Sequence, residues 1–184
     1  MKNKITLIFF LFFIFSSYSQ IGDFIDGIVI TKELDTLNLK LQYLDETESI
    51  SYVNYLNKKG KIKKIYTSKI KSYSRGNDFY KSINLTKYTQ VFCKLIIKGD
   101  NLSLYRQAYN LNRVNFMLTG VSGSSNHKYF YLENKYGVIF PVPKSKRKFR
   151  KNTSNFLIEY PIVSDKIRNG DLYNLREIVE LVNE

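Results

Sequence analysis

Residues that could act in catalysis or hold a metal are sparse in this chain. It contains a single cysteine, Cys93, and a single histidine, His127. The common zinc signatures need several such ligands at short intervals, and no tight Asp/Glu/His spacing supplies them here. A serine triad would have to use His127, yet no Gly-x-Ser-x-Gly elbow accompanies any serine. We therefore expect no catalytic residue, no metal site and no cofactor.

Cys93 and His127 are both predicted to have structural roles. Cys93 shares a strand face with apolar residues, which favours a buried, inert thiol over a nucleophile or an intermolecular disulfide. His127 ends the Gly/Ser-rich segment 120–127 and is expected to be a solvated loop residue. A carboxylate pair for hydrolysis can assemble from distant positions, so its spacing leaves that alternative open. The acidic run of Asp45, Glu46 and Glu48 is more typical of a solvated turn.

Two basic clusters stand out from this background. The stretch 49–77 contains no acidic residue, and tyrosines interleave with its lysines. Such rings can stack on sugars or bases beside cationic contacts, or pack across strands. The first candidate binding cluster consists of Lys58, Lys59, Lys61, Lys63 and Lys64. The second lies at the transition from strands to helices and consists of Lys146, Arg147, Lys148, Arg150 and Lys151.

The overall charge is consistent with a binding role for these clusters. The chain carries a formal net charge of +13, and such an excess favours anionic partners such as lipid headgroups, acidic glycans or nucleic acid. The abundance of Lys, Asn, Ile, Tyr and Phe also fits an AT-rich coding bias, which enriches lysine without any ligand. If the clusters converge, binding of a polyanion should weaken steeply with salt. If they stay apart, each is a solvated surface that discourages aggregation of strand edges.

The N-terminal segment predicts export from a bacterial cell. Lys2 and Lys4 precede an apolar run over 5–15, and Ser17 and Ser19 are small residues suited to a cleavage site. The run is well short of the roughly 20 residues that span a bilayer. Residues 1–19 are therefore predicted to be a cleaved secretory signal whose loss lowers the net charge from +13 to +11. No cysteine lies near the cut, so the expected product is periplasmic or secreted, is not a lipoprotein, and has no transmembrane segment.

The β-rich part of the chain is expected to cover residues 27–143. Strict alternation over 36–43 predicts a half-buried strand. The stretch 91–107 predicts a central β-hairpin with a two-residue Gly99-Asp100 turn, which would set Leu95 opposite Leu104. Further strand patterns follow up to residue 142.

The remaining residues, 146–184, are expected to be helical. Helices are predicted over 146–159 and 162–168, and an amphipathic one follows Asp171 as its N-cap. Strands followed by helices indicate an α+β fold, here an antiparallel sheet or partly open barrel of about 7–9 strands with the C-terminal helices packed on it. Residues 20–184 are long enough for one domain of this kind.

Three stretches of the chain carry a resemblance to a known family. They are Asp35-Thr36-Leu37, the run 92–99 leading into 102–105, and the terminal pattern from Asp171 to Val179. From Gly27 onward this layout resembles an uncharacterised family of exported β-rich domains from Gram-negative bacteria. The resemblance implies export and a β-rich fold, and it implies no activity, since none is assigned to that family.

Together these patterns predict an exported, non-catalytic binding or scaffolding domain. Its expected partners are anionic envelope components, either glycans or lipid headgroups, held through the two basic clusters. Nucleic acid ranks lower because an exported protein meets the envelope first. Two alternatives stay open: a module for an envelope protein, as inhibitor or assembly factor, that uses a strand edge or aromatic patch, and an envelope hydrolase with a carboxylate pair.

Overall fold

The computed structural model describes residues 22–47, 50–110 and 126–184, and the predicted signal over 1–19 lies outside them. Ten strands are followed by three helices. The strands are β1 (Phe24–Thr31), β2 (Thr36–Gln42), β3 (Tyr52–Leu56), β4 (Ile62–Tyr66), β5 (Ile70–Arg75), β6 (Asp78–Asn84), β7 (Gln90–Ile97), β8 (Leu102–Asn110), β9 (Asn126–Asn134) and β10 (Ile139–Pro141). The helices are α1 (Lys146–Phe156), α2 (Pro161–Asn169) and α3 (Leu175–Asn183).

The ten strands form one antiparallel sheet in the order β10-β9-β8-β7-β6-β5-β1-β2-β3-β4. The sheet is open, with β10 and β4 as its two edges. The predicted α+β class, with helices packed on an antiparallel sheet, is confirmed. The described residues contain ten strands, where about 7–9 were expected.

One half of the sheet curls and buries its own inner face. The backbone N–H of Phe92 in β7 donates to the carbonyl of Ile50, just before β3, at 2.9 Å, although these strands are five places apart in the sheet. Tyr73 and Tyr80 stack at 4.6 Å between ring centroids, and Phe92 packs edge-on against Tyr73 at 4.9 Å. Such offset and edge-to-face ring pairs add to the apolar burial in this cluster. The aliphatic members of the same cluster are Val29, Leu41, Val53 and Ile70.

The other half of the sheet is covered by the helices. Phe140 of β10 stacks on Phe156 of α1 at 4.6 Å, and α3 packs on β8. The buried side chains of this second core are Leu102, Leu104, Leu132, Phe149, Leu157, Val163, Ile167, Leu172, Ile178, Val179 and Val182. No helix among the described residues is long and apolar enough to cross a membrane.

The N-cap of α3 differs from the predicted one. The side chain of Asn174 accepts hydrogen bonds from the backbone N–H groups of Arg176 and Glu177, so Asn174 is the cap and Asp171 lies exposed before the helix. Leu172 is buried although it precedes the helix, which is why its spacing matched the helical pattern. Both Asp and Asn are good caps, and spacing alone did not separate them.

The register of the central hairpin also differs from the predicted one. Leu95 pairs with Tyr105 and Ile97 with Leu104, because a bulge lies between Leu95 and Ile97. The connection is correspondingly the four residues 98–101 and not a two-residue turn. A bulge inserts one extra residue into a strand and so shifts all pairings beyond it.

Asn183 of α3 holds the tip of this hairpin. Its Oδ1 accepts from the backbone N–H groups of Asn101 at 2.8 Å and Leu102 at 3.2 Å, and its Nδ2 donates to the carbonyl of Leu102 at 2.8 Å. A Cβ on Gly99 would collide with the Leu102 carbonyl and the Asn183 amide. Glycine is needed at this position for the close approach of helix and hairpin.

Replacement of Asn183 by alanine tests this contact. We expect Asn183→Ala to lower the free energy of unfolding by about 1–3 kcal/mol, because partly buried backbone groups of Asn101 and Leu102 lose their partner. Urea denaturation would measure the change. Asn152→Ala, at an exposed position of α1, is the matched control and should change stability by less than about 0.5 kcal/mol. Equal effects from the two variants would contradict the assigned role of Asn183.

Candidate anion-binding site

Helix α1 carries most of its cations on one exposed side. Residues at i, i+1, i+4 and i+5 share one side of an α-helix, and this spacing joins Lys146, Arg147, Arg150 and Lys151. Phe149, Thr153 and Ser154 of the same helix are buried. Phe149 packs in the core under the helices, whereas all four cations are exposed.

A groove of about 480 Å³ lies along this side of α1, next to α2. Four of the five residues in the second predicted cluster line it, and Lys148 does not. Helix α2 adds a fifth cation, Arg168, which the sequence patterns did not single out. The complete lining is Lys146, Arg147, Arg150, Lys151, Ser154, Asn155 and Arg168. We call this the helical groove.

Hydrogen bonds between the two helices fix the shape of the helical groove. Nε and Nη2 of Arg150 donate to the carbonyls of Arg168 and Asn169, each at 3.1 Å, and so cap the C-terminal end of α2. Ser164 Oγ donates to the carbonyl of Ser154 at 2.8 Å. Arg150 is therefore part of the frame of the groove as well as of its charge.

The remaining cations of the helical groove have unequal partners. Arg168 pairs with Asp165 at 2.7 Å. Lys146, Arg147 and Lys151 form no ion pair with any carboxylate in the part of the chain that the structure describes. These three side chains give the groove a positive charge that no acid of the described residues balances, and this suits it to an anion.

The first predicted cluster lies elsewhere. Lys58, Lys59 and Lys61 occupy the β3–β4 turn, and Lys63 and Lys64 lie on β4; all five are exposed. β4 is one edge of the sheet, whereas α1 packs on β10 at the other edge. The two clusters are thus carried by opposite edges, and the helical groove is lined by residues of the second cluster and not of the first.

The tyrosines near the first cluster pack mainly within the sheet. Tyr52 and Tyr66 are directly paired across β3 and β4, with an edge-to-face ring contact at 6.1 Å. The Lys64 ammonium lies 4.2 Å from the centroid of the Tyr52 ring, a cation–π contact. Tyr73 is buried. Cross-strand packing, one of the two roles expected for these rings, accounts for their positions.

A second charged site, which the sequence did not predict, lies on the inner face between the aromatic cluster of the curled half and the core under the helices. Lys94 Nζ is 3.3 Å from Glu46 Oε1 and 2.8 Å from Asp78 Oδ1. Arg106 Nη2 lies 2.6 Å from the same Glu46 oxygen. Glu46 was expected in a solvated turn; this is wrong, since its side chain is only 20% exposed. The link after β2 crosses the inner face and carries Glu46 to β7 and β8.

Buried Arg75 completes this charged site. Its Nη1 and Nη2 donate to the carbonyls of Gln42 and Leu44, each at 2.7 Å, and its guanidinium lies 5.0 Å from the centroid of the Tyr43 ring. The pocket at this site measures about 290 Å³. An arginine at a strand end before a turn has no periodic signal, so the sequence gave no indication of its burial.

The electrostatics of the charged site favour a fixed ion network. Burial raises the pKa of Tyr80, and nearby Arg75 opposes that rise only in part. Burial of Lys94 lowers its pKa, but hydrogen bonds to Asp78 and Glu46 and the neighbouring Tyr80 outweigh burial, so the net pKa is raised. Lys94 is therefore a cation at neutral pH, as its two carboxylate partners require.

The same site bears on the hydrolase alternative. Both carboxylate oxygens lie close to Lys94 Nζ, so they are at most about 6 Å apart, near the separation of a retaining glycosidase pair. However, the Lys94 ammonium is bonded to both oxygens, where a sugar and its nucleophile would have to meet. In this arrangement the two carboxylates neutralise buried cations.

Cys93 and His127 are both placed in strands. Cys93 is fully buried, so the predicted burial is confirmed, and burial raises the pKa of its thiol to about 12. His127 was expected in a loop; this is wrong, since it lies in β9 and pairs with Tyr109. Residues 120–125 of the predicted loop lie outside the described residues. Among the residues that the structure describes, no three His, Cys, Asp or Glu side chains are grouped to hold a metal ion.

Comparison with known proteins adds no relative to this picture. No protein-family model, no curated protein and no solved structure matches the chain. The resemblance to exported β-rich domains stays a prediction.

The reactivity of Cys93 tests its burial. A thiol with a pKa of about 12 is ionised at pH 8 in roughly one molecule in 10⁴, and a fully buried one is also out of reach of reagents. We expect no reaction of the native protein with a thiol-specific disulfide reagent, and one thiol per chain in denaturant. Rapid labelling of the folded protein would show that Cys93 is accessible.

A double-mutant cycle tests the ion network. Lys94→Met and Asp78→Asn should each destabilise the fold, and their coupling energy should be about 1–2 kcal/mol because both groups are largely shielded from water. Because the pKa of Lys94 is raised, the coupling should persist from about pH 6 to 9 and should disappear as the pH rises through that pKa.

The exposed pair Lys40–Asp26, at 3.0 Å, is the matched control for this cycle. Both of its side chains are more than half exposed, so its coupling should stay below about 0.5 kcal/mol. A coupling between Lys94 and Asp78 no larger than the control would refute the network.

Proposed function

We propose that this protein is a non-catalytic binding domain that holds anionic groups in the helical groove. The observation that carries the proposal is the convergence of five cations on one groove, four of them without a carboxylate partner among the described residues. In the same proposal the protein is exported, as the predicted signal over 1–19 indicates, and its ligands are anionic components of a bacterial envelope.

The chemistry of the groove favours phosphate, sulfate or carboxylate groups. Arg147, Arg150 and Arg168 carry planar guanidinium groups that can bind such oxyanions through two parallel hydrogen bonds. Lys146 and Lys151 add mobile point charges, and the Asn155 amide can donate a further hydrogen bond. A polyanion would contact several of these groups at once, and the affinity would therefore depend strongly on salt.

The position of the cations on α1 supports the same conclusion. Lys146, Arg147 and Lys148 are the first three residues of the helix, and its first turn contains no acidic residue. The N-terminal end of a helix dipole is positive, so cations there reduce helix stability by a few tenths of a kcal/mol each. A bound anion would remove this repulsion. Charges that weaken the fold on their own are better explained by binding than by stability.

The β4 cluster supports a different role. Lys63 and Lys64 lie on the exposed edge strand β4 and the other three lysines lie in the turn before it, where lysine commonly prevents pairing with another sheet. The hydrolase alternative has less support, since Lys94 occupies the space between the two carboxylates.

Salt-dependent binding to heparin, a soluble polyanion, tests the proposal. The triple variant Lys146→Gln/Arg147→Gln/Lys151→Gln removes the three unpaired cations and leaves Arg150, which caps α2. We expect it to bind heparin at least tenfold more weakly than the wild type. The logarithm of the association constant should fall with the logarithm of the salt concentration less steeply than in the wild type. The magnitude of this slope should be lower by roughly two to three if each lost contact contributes as a contact to nucleic acid does.

The matched control removes three lysines from the other cluster, in Lys58→Gln/Lys59→Gln/Lys61→Gln. Its net charge equals that of the groove variant, so it should lose much less affinity if the groove is the site. Equal losses from the two variants would mean that heparin responds to net charge alone. That result, or binding that salt does not weaken, would overturn the proposal.

A further inference from the structure

We infer that the anionic surface bound by this protein is a lipid bilayer, with headgroup phosphates in the helical groove and two isoleucines inserted beside them. The inference rests on the proposed function and names its partner. It is carried by Ile158 and Ile162, which are 66% and 75% exposed and are the most exposed aliphatic side chains of the described residues.

The two isoleucines lie four residues apart at the junction of α1 and α2. Ile158 belongs to the connection between the helices, Ile162 is the second residue of α2, and Leu157 in the same connection is buried. Pro161 begins α2, which fixes the backbone between them. The rigid turn thus presents two large apolar side chains to solvent, against the usual tendency of such residues to be buried.

The turn lies at one end of the helical groove. Asn155 and Lys151, which line the groove, precede Phe156, the last residue of α1, by one and five residues, or about 2 and 8 Å of helix rise. Apolar groups of peripheral proteins enter a bilayer to a depth of about 5–10 Å. With the isoleucines at that depth, Lys151 would lie near the level of the lipid phosphates.

The charges around the turn favour an anionic membrane. Residues 146–169 contain seven Lys and Arg but only two acids, Glu159 and Asp165. Both acids are already paired, Glu159 with Lys135 at 3.3 Å and Asp165 with Arg168. Stable membrane attachment generally needs two signals, such as an apolar anchor and a basic patch, and this end of the molecule has both.

A protein partner fits this surface less well. A stable protein interface uses about 20–30 residues on each side. Two isoleucines beside a group of lysines and arginines form a much smaller surface. Lysine is also depleted from the cores of such interfaces. Binding to a bilayer requires neither a large complementary surface nor a matched set of carboxylates.

A tryptophan reporter tests the insertion directly, because the chain contains no tryptophan of its own. With vesicles containing about one third anionic phosphatidylglycerol, Ile162→Trp should show a blue-shifted emission and quenching by brominated acyl chains. Neutral phosphatidylcholine vesicles should cause neither effect. Ile62→Trp, at a position on β4 that is 48% exposed, is the matched control and should keep its solvent emission.

Vesicle co-sedimentation of Ile158→Ser/Ile162→Ser separates this inference from the proposed function. Both positions are exposed, so the fold should be retained. Partition to anionic vesicles should fall by roughly tenfold or more, as the loss of two inserted side chains implies, while binding to heparin should match the wild type. The groove triple variant should lose both.

Several outcomes would overturn the membrane inference. Unchanged emission of Ile162→Trp, or vesicle binding that survives the Ser/Ser double substitution, would do so while leaving the anion-binding groove intact. A dimer in solution that the same double variant dissociates, without vesicle binding, would assign the isoleucines to self-association. A wild-type protein that binds neither heparin nor vesicles would remove the proposed function itself.

Discussion

Burial of the inner face of a ten-stranded sheet is the constraint on which the rest of this structure depends. No single element covers that face. The half from β1 to β7 curls until β3 meets β7, and it buries an aromatic core around Tyr73, Tyr80 and Phe92. The half from β8 to β10 is covered by the helices. Because the helices must turn their apolar sides to β8–β10, the direction in which their polar sides point is settled by the core.

The boundary between the two halves carries the ion network. Lys94 and Arg106 are directly paired on β7 and β8, where the curled half gives way to the half under the helices. Partly buried cations there need partners, since an unpaired charge shielded from water is costly. Glu46 and Asp78 supply them, and Glu46 can do so only if the link after β2 crosses the inner face. The network therefore specifies the path of the chain, and its carboxylates are explained without catalysis.

Local patterns predicted the elements well and their mutual placement poorly. The alternation over 36–43 was sufficient to predict a strand, and the spacing of Ile178, Val179 and Val182 was sufficient to predict a helix. Each pattern depends only on which face of one element is buried. The predicted hairpin register was wrong because the bulge after Leu95 has no signal in the alternation, and because the tip is held by Asn183, about 80 positions away in sequence. Glu46 was misplaced for the same reason: an acidic turn and an acidic crossing link have the same composition. The helical groove was half predicted, since the cations of α1 were recognised but Arg168 comes from a second helix.

The outer sides of α1 and α2 are informative because packing does not determine them. At Phe149, Val163 and Ile167 the core dictates the residue type. The core does not dictate the residue type at Arg147, Lys151, Ile158 and Ile162, where any polar side chain would be compatible with the fold. A coding bias toward lysine could place cations at such positions, but it would scatter them and would not favour arginine. The same bias enriches isoleucine, but it does not by itself place two exposed isoleucines at the end of a cationic groove. These apolar and cationic side chains lie on the same exposed surface, and each is unfavourable or neutral for the stability of the fold. Such a combination is expected of a surface that is selected for binding.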